Sequence, residues 1–403
     1  MNRIERMLQE LCPEGVEYKK LIDVAEILYG YPFDAKLFTE DNQYIPLIRI
    51  RDVKSAKAST YYKGDFNDIY IIKRGDILVG MDGNFNLEKW NDRNGVLNQR
   101  VCKIYAKNQL VVINEYLYHL LGPIFKKIEE EVKGGTVKHL SAAKINRIEI
   151  PVPPLPIQEE IVRILDHFTE LTASLQAELQ ARQEQYEYYR NKLLTFTKIG
   201  GGTQSVTWMK MSEIGTFIRG NGLQKKDFTP TGIGCIHYGQ IYTYYGTWAD
   251  KTLTYCSPNL ATKLKVAHKG DIIIATTSEN VEDVCKAVAW LGDNDIVISG
   301  DAYIFSHNQN PKYISYLFQT HDFFNFKQKN QTGTKVIRIS GESLAKYVVP
   351  IPSLSEQQRI VGILDKFETL VNDLSQGLPA EIAAVQEQYE YYRNKLLTFK
   401  RIA

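Results

Sequence analysis

Two long segments of the chain carry apolar residues at three- and four-residue steps, with one seven-residue interval in the first segment. In the first segment these are Ile157, Ile161, Ile164, Phe168, Leu171, Leu175, Leu179, Tyr186, Tyr189, Leu193 and Phe196. In the second they are Ile360, Ile363, Phe367, Leu370, Leu374, Leu378, Ile382, Val385, Tyr389, Tyr392, Leu396 and Phe399. Such steps line up side chains along one face of an α-helix, and the extra four-residue steps interrupt a strict heptad. The pattern predicts two long helices, each with an apolar seam.

Elsewhere the apolar runs are short, rich in β-branched residues and punctuated by Gly and Asp. They predict strands at residues 44–53, 69–80, 233–242 and 271–277. Residues 114–132 and 311–326 have helical patterns instead. The regions outside the two long helices are therefore expected to be mixed α/β.

The chain contains an internal duplication. QEQYEYYRNKLLTF occurs at residues 183–196 and again at 386–399 without a mismatch, and residues 148–171 resemble residues 347–370. Weaker matches join KRGDILVG at 73 with HKGDIIIA at 268, and GGTVKHLS at 134 with TGTKVIRIS at 332. A repeat of this length means that one structural unit is built twice. The predicted boundaries are a globular domain at 1–153, a helical region at 154–199, a linker at 200–206, a second globular domain at 207–352 and a second helical region at 353–403.

The second helical region is four residues longer than the first. The extra residues lie in SQGLPAEIAAV, which contains Gly377 and Pro379. Four residues make about one turn, roughly 6 Å. Because Gly and Pro often bend helices, a break and a smooth extra turn both remain open.

Connectivity then suggests an architecture. The linker between the repeats is short, so the second domain should follow the end of the first helix directly. If the two apolar seams bury each other, the helices must run antiparallel. The expected fold class is α+β: two tandem α/β domains separated by two long antiparallel helices that form a coiled coil with pseudo-two-fold symmetry.

Composition narrows the choice of class and compartment. The 403 residues carry a net charge of +2, so any basic surface must be local. The five cysteines form no CxxC pair, which argues against a disulfide framework or a zinc knuckle. The first residues have no apolar h-region and no apolar run is long enough to span a membrane. A cytoplasmic protein is expected.

The sequence lacks the motifs of several enzyme classes. It contains neither a G-x-x-x-x-G-K-[ST] phosphate loop nor an Asn/Asp-Pro-Pro-aromatic tetrapeptide of the adenine methyltransferase type. It has no H-E-x-x-H, and its seven histidines show no metal-ligand spacing. We therefore predict no catalytic residue and no metal ligand in this chain.

Several motifs resemble the specificity subunit of type I restriction-modification enzymes. They are LCPEGVEYKKL near the start, PPLPIQEEIVRILD and PSLSEQQRIVGILD at the helix openings, and YEYYRNKLLTF at both helix ends. The resemblance covers essentially the whole chain. It implies that each globular part is a target recognition domain for one half of a bipartite double-stranded DNA site. The helices would set the spacer and bind two modification subunits. S-adenosylmethionine, ATP and Mg would be bound by partner subunits, and the restriction subunits would be indirect partners.

Candidate DNA contacts follow from the residue types that reach base edges and phosphates. In the first domain they are Arg49, Arg51, Asp52, Asn84, Asn86, Lys89, Arg93, Asn98, Gln99, Arg100, Lys138 and His139. In the second they are His237, Tyr238, Gln240, Tyr242, Tyr244, Thr276, Thr277, Ser278, Asn280, Lys335 and Arg338. Arg49 and Arg51 are expected on one face of a strand, and residues 81–100 and 276–286 as loops. The alternatives are a solvated strand face, ordinary surface loops and a helix-to-strand turn.

The repeated helix ends supply candidate contacts for a partner subunit. These are Tyr188, Arg190, Lys192, Tyr391, Arg393 and Lys395. Tyr189 and Tyr392, on the apolar seam, are expected in the core. Polar residues that recur at the helix openings favour a structural role, capping or helix–helix pairing, with partner contact as the alternative: Gln158, Asp166, Gln357 and Asp365. Shared packing, shared docking and recent duplication all remain possible reasons for the identical stretches.

Two other function classes remain as alternatives. A coiled-coil scaffold with two protein-binding heads would bind no DNA. A self-contained nuclease or methyltransferase would transfer methyl groups or cut DNA alone, and the missing motifs argue against it.

Overall fold

The computed structural model describes residues 3–131, 138–196 and 206–402. The chain divides into two compact units. The first unit consists of Met1–Leu175 and Ile382–Ala403, and the second of Gln176–Glu381. Each unit therefore combines one globular part, the opening of its own helical region and the end of the other helical region.

The first unit is built from eleven strands and the helices around them, within the described residues. The strands are β1 (Tyr18–Lys20), β2 (Ala25–Tyr29), β3 (Phe38–Thr39), β4 (Ile45–Ile48), β5 (Tyr61–Tyr62), β6 (Ile71–Ile72), β7 (Ile77–Gly80), β8 (Leu87–Lys89), β9 (Gly95–Leu97), β10 (Val101–Ala106) and β11 (Glu149–Pro151). The helices are α1 (Arg3–Leu11), α2 (Leu21–Val24), α3 (Ile50–Val53), α4 (Asn114–Glu131), α5 (Ala142–Asn146) and α6 (Leu155–Leu194), whose last nineteen residues belong to the second unit.

The second unit repeats this construction. Its strands are β12 (Thr207–Lys210), β13 (Gly215–Arg219), β14 (Phe228–Thr229), β15 (Ile233–Ile236), β16 (Trp248–Ala249), β17 (Thr254–Cys256), β18 (Val266–Ala267), β19 (Ile272–Ala275), β20 (Thr277–Ser278), β21 (Ala287–Trp290), β22 (Ile296–Ile298), β23 (Ala302–His307), β24 (Ile337–Arg338) and β25 (Val348–Ile351). Its helices are α7 (Met211–Ile214), α8 (Tyr238–Thr243), α9 (Pro258–Ala261), α10 (Pro311–Leu317), α11 (His321–Asn330), α12 (Gly341–Ala345), α13 (Leu354–Asn372) and the start of α14 (Leu378–Leu396).

The sheets of the two units have matching strand orders. One sheet runs β2-β10-β7-β8 in the first unit and β13-β23-β19-β21-β16 in the second. The other runs β3-β5-β4-β9-β6 and β14-β17-β15-β22-β18. A parallel pair occupies the same place in both, β4 with β9 and β15 with β22. The predicted duplication is thus a duplication of topology, and the α+β class with two domains and a long central helix is confirmed.

Each unit packs a helix that carries a buried tyrosine against one of its sheets. In the first unit Tyr116 of α4 is fully buried, and its hydroxyl donates to the Pro151 carbonyl at 3.2 Å. In the second unit Tyr313 of α10 is fully buried and donates to the Pro350 carbonyl at 2.9 Å. These tyrosines tie the helix to the strand that leads into each long helical region.

Aromatic stacking joins the helices inside each unit. In the first unit Phe168 of α6 stacks on Tyr392 of α14, with ring centroids 5.5 Å apart. In the second unit Phe367 of α13 stacks on Tyr189 of α6, with centroids 5.6 Å apart. The seam therefore has the same aromatic pair in both units, although Tyr189 and Tyr392 are more exposed than predicted, at 36% and 40%. A coiled coil and pseudo-two-fold symmetry stay predictions.

The second helical region is broken. It forms α13 and α14, separated at residues 373–377, where the Gly377 amide donates to the Asp373 carbonyl at 3.0 Å. A Cβ at Gly377 would approach the Thr369 carbonyl oxygen to 2.3 Å, so the chain can turn back this closely only with glycine there. Of the two possibilities left open by the sequence, the break is correct.

The polar residues at the helix openings make structural bonds. Gln158 is fully buried and bonds to Ile113 N, Val111 O and Pro153 O. Its counterpart Gln357 accepts from Asn310 N and donates to Gln309 Oε1 and to the Pro352 carbonyl. The preferred structural role is correct, but both side chains tie the helix opening to the globular part; they neither cap their helix nor pair it with another.

The two recurrent aspartates instead join their helices to a neighbouring helix, α6 to α4 and α13 to α10, which is the predicted helix–helix pairing. Asp166 accepts from His119 Nε2 at 2.7 Å, while the other ring nitrogen of His119 accepts from the Tyr389 hydroxyl at 3.1 Å. Burial lowers the pKa of His119 although its bond to Asp166 opposes the shift, which fits a neutral imidazole. Asp365 accepts from Lys312 Nζ at 2.8 Å in the second unit.

Several strand and helix predictions were too long. The segment 44–53 forms β4 followed by α3, and the segment 233–242 forms β15 followed by α8. Residues 311–326 form α10 and part of α11, with Thr320 accepting from Phe323 N to begin the second helix. The expected loop 81–100 contains β8 and β9. Residue 132, part of the Gly-Thr segment before 138 and the linker up to 205 lie outside the described residues, and the domain boundaries stay predictions.

Candidate nucleic-acid interface

Equivalent backbone bonds mark one place in each unit, directly after a central strand. After β7, Met81 N donates to the Arg100 carbonyl at 2.8 Å, and Leu140 N donates to the Met81 carbonyl at 2.7 Å. After β19, Thr276 takes the place of Met81, bonding to the Asp301 carbonyl at 3.0 Å and accepting from Ile339 N at 3.4 Å. The residue that follows, Asp82 in the first unit and Thr277 in the second, pairs with His139 and Arg338, respectively. These bonds bring together predicted contacts that are far apart in sequence.

Three side-chain positions meet at each of these places, and we call each set a triad. The first triad is Asp82, Arg100 and His139. The second triad, by the same backbone bonds, is Thr277, Asp301 and Arg338. The scaffold is shared while all three residue types differ.

The first triad is an ion cluster at the surface. Asp82 accepts from Arg100 Nη1 and, at 2.6 Å, from His139 Nδ1. Partial burial would raise the pKa of Asp82, but the bonds and charges of His139 and Arg100 together lower it. The Arg100 and His139 side chains remain 57% and 54% exposed. The carboxylate therefore orients two cationic or hydrogen-bonding groups that still face solvent.

Arg100 also has an unusual backbone. Its φ is +71°, a conformation that costs energy for residues other than glycine. The backbone bond from Met81 and the ion pair with Asp82 hold it there. Strain of this kind is found preferentially at functional sites.

The second triad has another distribution of charge. Thr277 Oγ1 donates to Asp301 Oδ1 at 3.2 Å, and Thr277 is buried. Arg338 extends from β24, opposite Thr277, and is exposed. The arginine thus comes from the turn between β9 and β10 in the first triad and from the strand paired with β20 in the second.

The prediction that Arg49 and Arg51 share a strand face is wrong. Residue 49 ends the extended segment after β4, and residue 51 lies in α3. Arg49 is half-buried against the Phe38 ring at 5.7 Å, whereas Arg51 is exposed and bonds to Thr60 Oγ1 at 2.6 Å. The backbone turns from β4 into α3 because the Asp52 carboxylate accepts a hydrogen bond from Arg49 N.

Asp52 and Gln240, both predicted as DNA contacts, are buried and stabilise the turn into the short helix of their own unit. Asp52 is 2% exposed, and its carboxylate accepts from Arg49 N at 3.0 Å. Gln240 is 8% exposed and accepts from His237 N at 2.9 Å in the matching turn of the second unit. His237 is also buried, and burial lowers its pKa. These side chains shape the surface from beneath.

The other predicted DNA contacts divide by exposure. The exposed ones are Asn84, Arg93, Gln99, Tyr244, Asn280 and Lys335. The half-buried ones are Asn86, Lys89, Lys138, Tyr238, Tyr242 and Ser278. Asn98 and Thr276 are buried. Some are already engaged: Arg93 bonds to the Tyr44 carbonyl at 2.6 Å, Lys89 covers the Tyr118 ring at 4.7 Å, and the Tyr242 hydroxyl donates to the Thr277 carbonyl at 2.8 Å.

The predicted partner contacts divide in the same manner in both copies. Tyr188 and Tyr391 are 59% and 60% exposed, and Lys192 and Lys395 are exposed as well. Arg190 and Arg393 turn inward instead, because each guanidinium lies over a tyrosine of its own helix at 5.0 and 5.1 Å. The outward face is therefore tyrosine and lysine.

Sequence reasoning missed two members of the triads, Asp82 and Asp301. Aligning KRGDILVG with HKGDIIIA would have paired Asp82 with Thr277. No local signal marks Asp301, since its role depends on the turn between β22 and β23, two strands of different sheets. Within the described part of the chain, no group of three or more His, Cys, Asp or Glu side chains could hold a metal ion. No helix in that part is long and apolar enough to cross a membrane.

Known proteins are similar to this chain in sequence and in fold. Residues 13–185 and 205–384 match the model of the type I restriction modification DNA specificity domain. A putative type I restriction enzyme specificity subunit of Haemophilus influenzae is 30% identical over 98% of this chain and 99% of its own length. The EcoR124I/EcoR124II specificity subunit of Escherichia coli is 30% identical over 84% of each chain.

Solved structures support the same fold. The S subunit of a type I restriction-modification system from M. genitalium superposes with a TM-score of 0.55 at 15% identity, over 95% of this chain and 96% of its own. A chain from a study of type I system assembly gives a TM-score of 0.59 at 16% identity, over 95% and 97%. Full-length similarity, two matched domains and a duplicated α+β fold agree, and the chain belongs to the family of type I restriction-modification DNA specificity subunits.

Proposed function

We propose that each unit reads one half of a bipartite double-stranded DNA target, and that the chain selects the site without catalysing the reaction. The observation that carries the proposal is that both units have the same topology. The similarity to a specificity subunit extends over 98% of this chain, so it includes both units. Two copies of one reader suit a target with two half-sites. Methyl transfer, translocation and cleavage would belong to partner subunits, which would bind S-adenosylmethionine, ATP and Mg.

Local charge supports DNA as the ligand. The whole chain has a net charge of only +2, so attraction to phosphate must come from clustered side chains. Each triad provides an exposed arginine, and His139 and Lys335 are exposed cationic or hydrogen-bonding residues on the corresponding segments. Such side chains at a strand end can reach phosphates and base edges.

The repeated helix ends would dock two modification subunits. The outward tyrosine of each copy stands beside a lysine at the fourth position along the helix, and Lys192 Nζ bonds to the Tyr188 hydroxyl at 3.3 Å. In the second unit this face borders a groove of about 480 Å³. Its lining includes Glu184, Glu187, Tyr188, Asn191, Lys192 and His321. An exposed aromatic residue framed by polar groups fits the centre of a protein interface.

The continuous helix α6 would set the spacer between the half-sites. It has 40 residues, about 60 Å at 1.5 Å per residue. A helix whose hydrogen bonds are unbroken changes length only in whole residues, which makes it a suitable ruler.

A methylation map tests the main proposal. The chain is expressed with the modification subunit encoded beside it, in a host that lacks adenine methylation, and N6-methyladenine is located by sequencing. A split motif should appear only when this chain is present. Absence of a motif from a correctly assembled complex, together with a lack of salt-dependent DNA binding, would refute the proposal.

Tyrosine variants test the docking proposal. Tyr188→Ala and Tyr391→Ala should each lower the affinity of one docking face about 30-fold, as expected for an aromatic hot spot worth about 2 kcal/mol. Native mass spectrometry at limiting subunit concentration should then show one bound modification subunit, and none in the double variant. Tyr244→Ala, which changes an exposed tyrosine outside the helices, is the control. Two bound subunits in the double variant would contradict the assignment.

A further inference from the structure

The triads occupy the same place on two copies of one scaffold. The backbone bonds that define the place are the same in both units, with Met81 and Thr276 as the central residues. The side chains that project from it are nevertheless an Asp–Arg–His ion cluster in one unit and a Thr–Asp–Arg set in the other. A purely structural junction has no need to exchange all three residue types.

We propose that the triads are specificity-determining sites, at which the two units distinguish different bases at corresponding positions of their half-sites. This inference rests on the proposed DNA-reading function and adds the residues that perform it. Arg100 would read a base for the first unit and Arg338 for the second. An arginine reads guanine best, because its two N–H groups match the O6 and N7 acceptors in the major groove.

The first triad is organised for such reading. The Arg100 side chain is 57% exposed, and its Nη1 donates to the carboxylate of Asp82. An arginine held in direction by a carboxylate loses less rotational freedom when it binds, so more of the contact energy remains as discrimination. The strained backbone at Arg100, with φ at +71°, fixes the direction of the side chain further.

The second triad places its groups differently. Arg338 lies on β24, across the strand pair from Thr277, whereas Asp301, just before β23, takes the place that Arg100 has just before β10. An aspartate oxygen that accepts from Thr277 retains further lone pairs, and carboxylates accept from cytosine N4. The two units would therefore prefer different bases even if the DNA approached both in the same orientation.

The test uses the complete complex with the modification subunit. Its affinity is measured for the mapped site and for every single-base variant of each half-site. Arg100→Asn is the main variant, because asparagine tolerates positive φ and the backbone turn is kept. Arg338→Ala is the second variant; Arg338 is the exposed residue of the two-residue strand β24 and does not have a positive φ. Lys107→Ala removes an exposed cation at the opposite end of β10 and is the matched control.

We expect Arg100→Asn to lose discrimination at one base pair of the first half-site by about tenfold to a hundredfold, with the second half-site unchanged. Arg338→Ala should do the same in the second half-site only, and Lys107→Ala should alter neither. If a variant weakens all sequences equally, with a lower salt dependence, the arginine binds phosphate and the proposal is overturned for that unit. Unchanged discrimination in both variants overturns it entirely. If the wild-type complex itself lacks a sequence preference, the proposed function fails instead.

Discussion

The buried glutamine at the opening of α6 offers a sharp test of how the globular part and the helix are joined. Gln158→Met replaces the amide with an apolar side chain of similar length, so little volume is lost. The amide oxygen accepts from Ile113 N at 3.1 Å, and its nitrogen donates to the carbonyls of Val111 and Pro153 at 2.9 and 2.7 Å. The variant therefore leaves one backbone donor and two backbone acceptors without these partners.

The expected loss follows from the number of bonds. A hydrogen bond contributes about 1 kcal/mol net, so three bonds correspond to about 3 kcal/mol. Gln158 is fully buried, which prevents water from replacing the amide without local opening. A loss of this size is a large fraction of the usual stability of a domain. It would raise the population of the opened helix start about a hundredfold.

Hydrogen exchange is the suitable assay, since a chain with two units need not unfold in one step. Protection of the amides at residues 108–116 should fall about a hundredfold in Gln158→Met. Gln180→Met makes the same replacement at an exposed position of the same helix and should change the free energy of unfolding by less than about 0.5 kcal/mol. Equal protection in the two variants would show that the buried amide does not hold the junction.

Three further outcomes can be measured. Burial lowers the pKa of His307 from 6.5 to about 4, so on acidification His307 is protonated in the unfolded chain before it is protonated in the folded chain. The free energy of unfolding should therefore fall by about 2 kcal/mol between pH 7 and pH 5. His307→Asn should lose that part of the pH dependence, and an unchanged pH profile would contradict the burial argument. Deleting four residues between Leu171 and Gln183 should shorten the accepted spacer by about 6 Å, or one to two base pairs, in the methylation map; an unchanged spacer would contradict the ruler. A thiol reagent should modify Cys12 first in the native protein, because the other four cysteines are buried; equally fast labelling of a second cysteine would show that its site opens.

The helical periodicity predicted α6 well because a continuous seam is a local property of the sequence. It could not decide between a break and a smooth extra turn in the second helical region, where a seam of threes and fours runs through Leu374 and Leu378 although the helix is interrupted. The interruption depends on Gly377, which allows the chain to approach the carbonyl of Thr369 closely. Periodicity alone carries no information about such backbone contacts.

The strand predictions at 44–53 and 233–242 failed for a shared reason. Each run of apolar and aromatic residues continues past the point where the backbone turns into a short helix. Asp52 and Gln240 cause the turn by accepting the amide hydrogen three residues earlier. Aspartate and glutamine at this place looked like groups available to DNA, because nothing in the sequence indicates that they are buried.

The identical helix ends call for an explanation beyond packing. Stacking over seam tyrosines accounts for Arg190 and Arg393, which turn inward. It does not account for Tyr188 and Tyr391, which remain 59% and 60% exposed. Recent duplication of the whole repeat would have kept the globular parts alike too, yet these share only short motifs and differ at every position of the triads. One kind of docking partner, bound at both helix ends, would constrain the outward face of each copy. It would leave the globular parts free to diverge toward two different half-sites.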